Sequence, residues 1–347
     1  MSATVLASGR TRLWSASSVG LVTVIAVAYG VIPLFGTEYL FDAILTPFLA
    51  LSLATLGLNI LAGYAGQVSL GSSAFMAVGA YAAYNLHLRV PGLPMLLDLV
   101  FAGLITAAVG LAFGLPSLRL RGFYLAVSTL AAQFVVPWAL NKFGWFSNDD
   151  PSGVISAPAL WIGPVQFAGS RGRYLFCLLV ATAITILVGR LVRSRTGRNF
   201  IAVGDHETAA RVIGVPILTT KLVAFAASSF VIGIAGVLWA FAYLRTVEPA
   251  GFDLDRSFQI LFIIIVGGLA SLRGAFLGAA LMVTFPLLLA RGGQAVFGNS
   301  VDSGVLEMTQ RIAIGVMIVL FLIAEPAGLV NLLDRAFGRL RRRMAQA

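Results

Sequence analysis

Reactive and charged side chains are scarce in this chain. Its 347 residues hold one cysteine, two histidines and two lysines, and 11% of them are charged. A soluble domain carries roughly 25% charged residues, so an ordinary water-facing surface is excluded. The lone Cys177 excludes an intrachain disulfide and a cysteine metal cluster. A phosphate-binding Walker A lysine needs Gly before it and Ser or Thr after it. Lys142 follows Asn141 and Lys221 precedes Leu222, so the chain has no ATPase motif of its own. There is no HExxH motif and no paired-carboxylate constellation for a membrane enzyme. Proton- or sodium-coupled carriers usually hold ionisable groups within the membrane. Here Asp42 and Asp98 fall at helix ends, Glu325 closes the last apolar run and His87 lies at a loop edge.

Apolar residues fill the remainder. They make up 59% of the chain, and mean hydropathy is +0.94. Crossing ~30 Å of hydrocarbon takes ~20 apolar residues, and many windows approach that. The fold class is an all-α integral membrane protein, a polytopic bundle of about 8–10 transmembrane helices with Gly-rich broken segments. Helices are expected near 19–35, 40–62, 74–88, 95–115, 123–140, 174–192, 219–243, 257–270, 275–290 and 310–325. Four of them (74–88, 257–270, 275–290 and 310–325) are short for full crossings, so two re-entrant pieces with eight crossings remain an alternative. The first apolar run, after Arg10 and Arg12, reads as a spanning helix and not as a cleaved signal peptide. The expected divisions are an N-terminal segment 1–18, one membrane domain 19–330 and a basic tail 331–347.

The net charge of +10 is a topology signal, not a nucleic-acid footprint. With the N-terminus inside, 16 of the 24 basic residues fall in inside segments, and 10 of the 14 acids fall outside. Loops rich in Arg and Lys stay cytoplasmic, which gives an N-in, C-in orientation in contact with membrane lipid.

Two polar, glycine-rich stretches interrupt the apolar runs. GYAGQVSLGSSAF (63–75) contains Gly63, Tyr64, Gly66, Gln67, Ser69 and Gly71. GGLASLRGAF (267–276) contains Gly267, Gly268, Ser271 and Gly274. Unpaired backbone groups in hydrocarbon cost several kcal/mol, so a break survives only inside protein or beside a watery cavity. Paired interrupted segments in two halves of a transporter point to its pathway. The ten residues named are therefore candidate path or gate residues; close helix packing by small residues is the competing reading. A third stretch, RSRTGRNFIAVGDHETAARVIGVP (193–216), lies on the cytoplasmic side by parity. With Asp205 as N-cap, Gly214 at the C-terminal turn and Pro216 beyond, it predicts a two-turn helix over 206–213. Such a helix depends on a partner for its order. The extracytoplasmic loop 141–173 is rich in turn formers, and LRRR (340–343) is a topology anchor.

Four stretches, LGLNILAGYAGQVSLGSSAFMAVGAYAA (56–83), LRGFYLAVSTLAAQFVV (120–136), AARVIGVPILTTKLVAFAASSFVIGIAGVLWA (209–240) and IIVGGLASLRGAFLGAAL (264–281), resemble the LivM-type permeases of branched-chain amino acid ABC importers. The resemblance covers roughly residues 40–330. It implies a multi-pass protein of the bacterial cytoplasmic (inner) membrane, without enzyme activity or a cofactor of its own. The implied partners are a LivH-like sister permease, two cytoplasmic ABC ATPases that bind ATP, and an extracytoplasmic substrate-binding protein. It also implies that a coupling helix within loop 193–218 docks on the ATPases. Ala209, Ala210 and Gly214 match that helix's EAA-x-x-x-G pattern, with Glu207 and Arg211 beside them; the first position is Thr208 here, one residue after Glu207. Relatives often carry His where this chain has Ser72, an acidic residue near Gln133, and a TGG-like turn where it has FSNDDPSG. These departures bear on pathway polarity and cargo. Urea, amides and aromatic acids are alternative cargoes within the family, and an ion-coupled secondary transporter is the alternative from another class.

Overall fold

The computed structural model describes residues 26–117, 123–150, 154–162, 165–167, 169–297, 303–325 and 328–335. The expected N-terminal segment 1–18, the basic tail beyond 335 and the LRRR anchor lie outside the described residues. Each of the ten expected helices has a counterpart. They are α1 (26–35), α2 (Leu40–Tyr64), α3 (Ser72–Arg89), α4 (Met95–Ser117), α5 (Phe123–Lys142), α6 (Gly169–Arg193), α9 (Ile217–Leu244), α10 (Leu254–Gly267), α11 (Leu272–Phe297) and α12 (Ser303–Ala324). Two helices, α7 (Arg195–Asp205) and α8 (Glu207–Val212), lie between α6 and α9, and α13 (Gly328–Arg335) follows α12 at a bend of 59°.

Five of these, α2, α4, α6, α9 and α11, are long and apolar enough to cross a membrane, and the bent α12–α13 pair is a sixth. Three of the runs expected to be short are longer than their apolar stretch. At 1.5 Å per residue, α3 with 18 residues reaches about 27 Å, α12 with 22 about 33 Å and α11 with 26 about 39 Å. The added residues, such as Ser72, Ser73 and Arg89 in α3, are ones that hydropathy alone does not assign to a span. Only α10 stays short, at 14 residues or about 21 Å.

Helices α2 and α9 form the centre. α2 is buried almost throughout, and α9 packs against α2, α3, α4 and α7. Small residues set these approaches. A Cβ on Gly79 would strike the backbone of Gly233, and one on Gly236 would strike that of Met76, so α3 and α9 touch backbone to backbone as membrane helices with small residues at their seam do. Outward faces of α4, α5, α6 and α12 present Leu104, Ile105, Phe134, Trp138, Ile186, Leu187, Leu320 and Ile323, the surface expected toward lipid.

Polar clusters mark the two ends of the bundle. At one end Asp42 of α2 accepts from Ser170 (2.8 Å) and Arg173 (2.9 Å) of α6 and from Arg245 (2.8 Å), just past α9. At the same end β1 (Ile155–Ser156) pairs with β4 (Thr246–Val247), β2 (Trp161–Ile162) pairs with β3 (Val165–Gln166), and Arg89 lies over Trp145 while donating to its carbonyl. The loop 141–173 is therefore not a plain coil. At the opposite end, α7 packs on the end of α2 and on α9, and α8 packs on α7 and, through Glu207 and Lys221, on the start of α9.

Candidate translocation gate and coupling site

The first interrupted stretch begins where α2 ends in a widened π-helical turn, Asn59–Tyr64, with the Ala65 N–H donating to Ile60 and the Gln67 N–H to Leu61. Gly66 has φ +66°, a conformation that side chains with a Cβ rarely adopt. Residues 65–71 are non-helical, and α3 starts at Ser72 with no side-chain cap from its own sequence. The open N–H groups of a helix start need acceptors, and here other helices supply them. Thr129 Oγ1 of α5 accepts from Leu70 N (2.9 Å), Gln133 Oε1 of α5 from Ala74 N (2.8 Å) and Ser257 Oγ of α10 from Ser73 N (2.9 Å). Ser257 Oγ also donates to Gln133 Oε1 (2.8 Å), and Gln133 Nε2 donates to the Phe252 carbonyl (2.9 Å). The break is thus held open by a buried network joining α3, α5 and α10. Gln67 is 7% exposed and Ser69 1%; both are packed within this chain, while Gly66 and Val68 face outward. Gly71 lies so close to α5 that an added Cβ would sit 2.5 Å from the Thr129 carbonyl oxygen.

The second stretch is the turn between α10 and α11. Gly268 has φ +115° and Ala270 φ +55°, and a Cβ on Gly267 would strike the backbone of Gly274. Gly274 N–H donates to Ser271 Oγ (3.2 Å). The two stretches, some 200 residues apart in sequence, meet through Asn59. This fully buried side chain accepts from Ala270 N (2.9 Å) through Oδ1 and donates to the Ser271 carbonyl (2.8 Å) through Nδ2. Gly63 fits beside it because a Cβ there would strike Asn59 Oδ1 and Ala270 N. Sequence reading missed Asn59; a lone amide inside the apolar run LGLNILAG was the available signal.

The third stretch differs locally from its expectation. Asp205 does not cap the short helix; it ends α7, an 11-residue helix started by Ser194, whose Oγ accepts from Gly197 N (3.3 Å). His206 stands between α7 and α8 with extended backbone and no side-chain cap. The C-terminal end agrees with expectation. Gly214 takes φ +84°, Gly214 N–H donates to Arg211 and Val215 N–H to Ala210, the paired bonds of a Schellman turn. Ala210 is buried against the bundle, and Glu207 reaches Lys221 of α9 (2.7 Å) and Arg211 (3.5 Å). Ala209 and Arg211 face outward, as do Val212 and Ile213, which are 82% and 75% exposed.

One contact ties this surface to the interruption. A Cβ on Gly66 would sit 3.0 Å from Gly204 Cα, and one on Gly204 would sit 2.6 Å from the Tyr64 carbonyl oxygen. The backbone of α7 therefore rests directly on the break after α2. With Asn59, it makes one continuous path of contact from α8 through Gly204 and Gly66 to Ala270 and Ser271.

Residues 40–322 match the family model described as branched-chain amino acid transport system / permease component. The chain belongs to this permease family. This permease is 33% identical over 251 residues to the high-affinity branched-chain amino acid transport system permease protein LivM of Salmonella typhimurium, and 32% identical to LivM of Escherichia coli. Each match covers 66% of this chain and 58% of the relative. Similarity at 25% identity extends to the L-arabinose transport system permease protein AraH of Escherichia coli, over 71% of this chain and 75% of that protein. No solved structure matches the permease.

Proposed function

We propose that this permease is the transmembrane subunit of an ABC importer in the bacterial inner membrane, forming the path for branched-chain amino acids. It pairs with a sister permease, receives solute from an extracytoplasmic binding protein and takes its energy from two cytoplasmic ATPases. The relatives named for branched-chain amino acid transport support the cargo class. The observation that carries the coupling is the Gly66–Gly204 contact. The exposed Val212 and Ile213 give an ATPase an apolar handle on α8, and Glu207–Lys221 with the buried Ala210 fastens α8 to the bundle. Movement of α7–α8 is passed without an intervening side chain to the break at 65–71 and, through Asn59, to the turn at 267–274. Both are points where the backbone has left regular helix, so they deform without breaking helical hydrogen bonds.

Reconstitution in proteoliposomes with the sister permease, the ATPases and the binding protein tests this reading. ATP-dependent uptake of labelled leucine that stops when ATP or the binding protein is omitted is the expected result. Leucine uptake driven by an ion gradient alone would establish a secondary carrier instead. ATPase activity stimulated only by a binding protein loaded with an amide or an aromatic acid would replace the cargo and keep the mechanism.

A further inference from the structure

The start of α10 carries an arginine that the pathway described above does not use. Arg256 lies in the first turn of α10, partly buried, with its guanidinium 4.2 Å from the ring centre of Trp239. Trp239 is 2% exposed and begins the π-helical end of α9, Trp239–Leu244, roughly 7 Å in from that end at 1.5 Å per residue. Such π-helical turns are frequent at functional sites. Arg256 donates one bond from Nη1 to Gln259 Oε1, and none of the ion pairs among the described residues includes it. Two acids precede it closely: Asp255 is its immediate neighbour, and Asp253 has Oδ1 engaged by the Arg256 backbone N–H (2.9 Å); both act electrostatically on the guanidinium. Two buried donors in this cluster, Arg256 Nε and Trp239 Nε1, have no acceptor among the described residues. A buried donor left unpaired costs about 1–3 kcal/mol, and an ionisable group in a membrane bundle marks a pathway or relay by default.

A guanidinium over an indole ring, with an unpaired N–H on each side chain, offers donors of the kind that the two oxygens of a carboxylate accept from. The next residue, Ser257, holds the start of α3 open through Ser73 and Gln133, so the cluster adjoins the first interrupted stretch. We propose that Arg256 and Trp239 form an oxyanion-recognition site that takes the carboxylate of the transported solute beside the path. The proposal rests on the importer reading and adds to it the chemical group recognised within the membrane subunit. The ammonium of an amino acid contributes nothing at this site; the carboxylate carries the recognition.

The test uses the complete importer complex in nanodiscs, labelled with 5-fluorotryptophan. The Trp239 resonance is assigned as the one that Trp239→Phe removes. Three probes share one side chain: L-leucine, 4-methylpentanoate (carboxylate only) and 3-methylbutylamine (ammonium only). Both carboxylates are expected to shift the Trp239 resonance saturably and the amine to leave it unmoved. Arg256→Gln weakens carboxylate binding by at least about tenfold, the loss of a charge-assisted bond, and Arg256→Lys restores part of it. An equal shift by the amine, no shift by either carboxylate, or unchanged binding in Arg256→Gln overturns the proposal; the probe series on the unaltered protein tests it even where Arg256→Gln does not fold. Repeating the titration in phosphatidylcholine and in phosphatidylglycerol separates the sources. A shift already complete in phosphatidylglycerol and insensitive to leucine assigns the site to a lipid phosphate and overturns the cargo assignment. The resonance needs neither ATP nor net transport. Carboxylate binding without ATP-driven uptake would therefore sink the importer reading alone, and ATP-driven uptake without carboxylate binding would sink this proposal alone.

Discussion

Asn59 joins two segments of backbone that have left regular helix, and its substitution has a measurable expected cost. Asn59→Leu removes both the acceptor for Ala270 N and the donor to the Ser271 carbonyl. Unpaired buried groups cost about 1–3 kcal/mol, so the thermal midpoint of the purified permease in detergent should fall. Asn59→Asp keeps the acceptor and loses the donor, and should not restore the midpoint; wild-type stability in Asn59→Leu would show that the bridge is dispensable. Gly66→Leu and Gly71→Leu should each abolish ATP-driven uptake while the chain still inserts, because one places a side chain at φ +66° and the other drives it into the Thr129 carbonyl. Normal uptake by both would refute the role given to the break. At this scale the sequence was partly legible. The glycines announced close approach, but their opposite numbers were invisible because contact across 138 or 200 residues leaves no local pattern. Gln67 and Ser69 looked like lining and are buried within the chain; polarity in an apolar run does not distinguish a side chain facing a path from one packed behind it.

The helices were the most legible elements, since a run of apolar residues long enough to span must be helical to satisfy its own backbone. The segment α7 was not. RSRTGRNF reads as a charged loop, and it becomes helix because Phe200 and Val203 are buried against the bundle while Ser194 caps its start. That extra helix displaced Asp205 from the capping role assigned to it. Two outcomes are expected for α8. Val212→Asp with Ile213→Asp, both at exposed positions, should leave the permease folded and inserted but prevent co-purification of the ATPases. Retained co-purification would place the docking surface elsewhere. The Glu207–Lys221 pair is partly exposed, 36% at Glu207, and such pairs contribute about 0–1 kcal/mol. A double-mutant cycle with Glu207→Gln and Lys221→Met should give a stability coupling in that range, with a larger effect on the ratio of solute moved to ATP hydrolysed. Equal effects on both would mean that the pair serves stability only.

For the whole molecule, the Asp42–Ser170–Arg173–Arg245 cluster and the Gly66–Gly204 contact lie at opposite ends of α2. Which end faces the cytoplasm was inferred from charge alone, and labelling decides it. The single natural Cys177 is fully buried, so an added cysteine reports without background. An impermeant maleimide should modify Asn141→Cys in spheroplasts and Thr208→Cys only after lysis; the reverse pattern would invert the orientation and remove the ATPase from α8. The central claim is that α7 transmits force to the break through bare backbone. A volume series at Gly204, with Ala, Val and Leu, tests it most directly, reading uptake and ATP hydrolysis from the same reconstituted complex. Because a Cβ there meets the Tyr64 carbonyl oxygen at 2.6 Å, uptake should fall stepwise with side-chain volume while assembly and ATP hydrolysis persist. Full uptake by Gly204→Leu in an assembled complex would contradict the account.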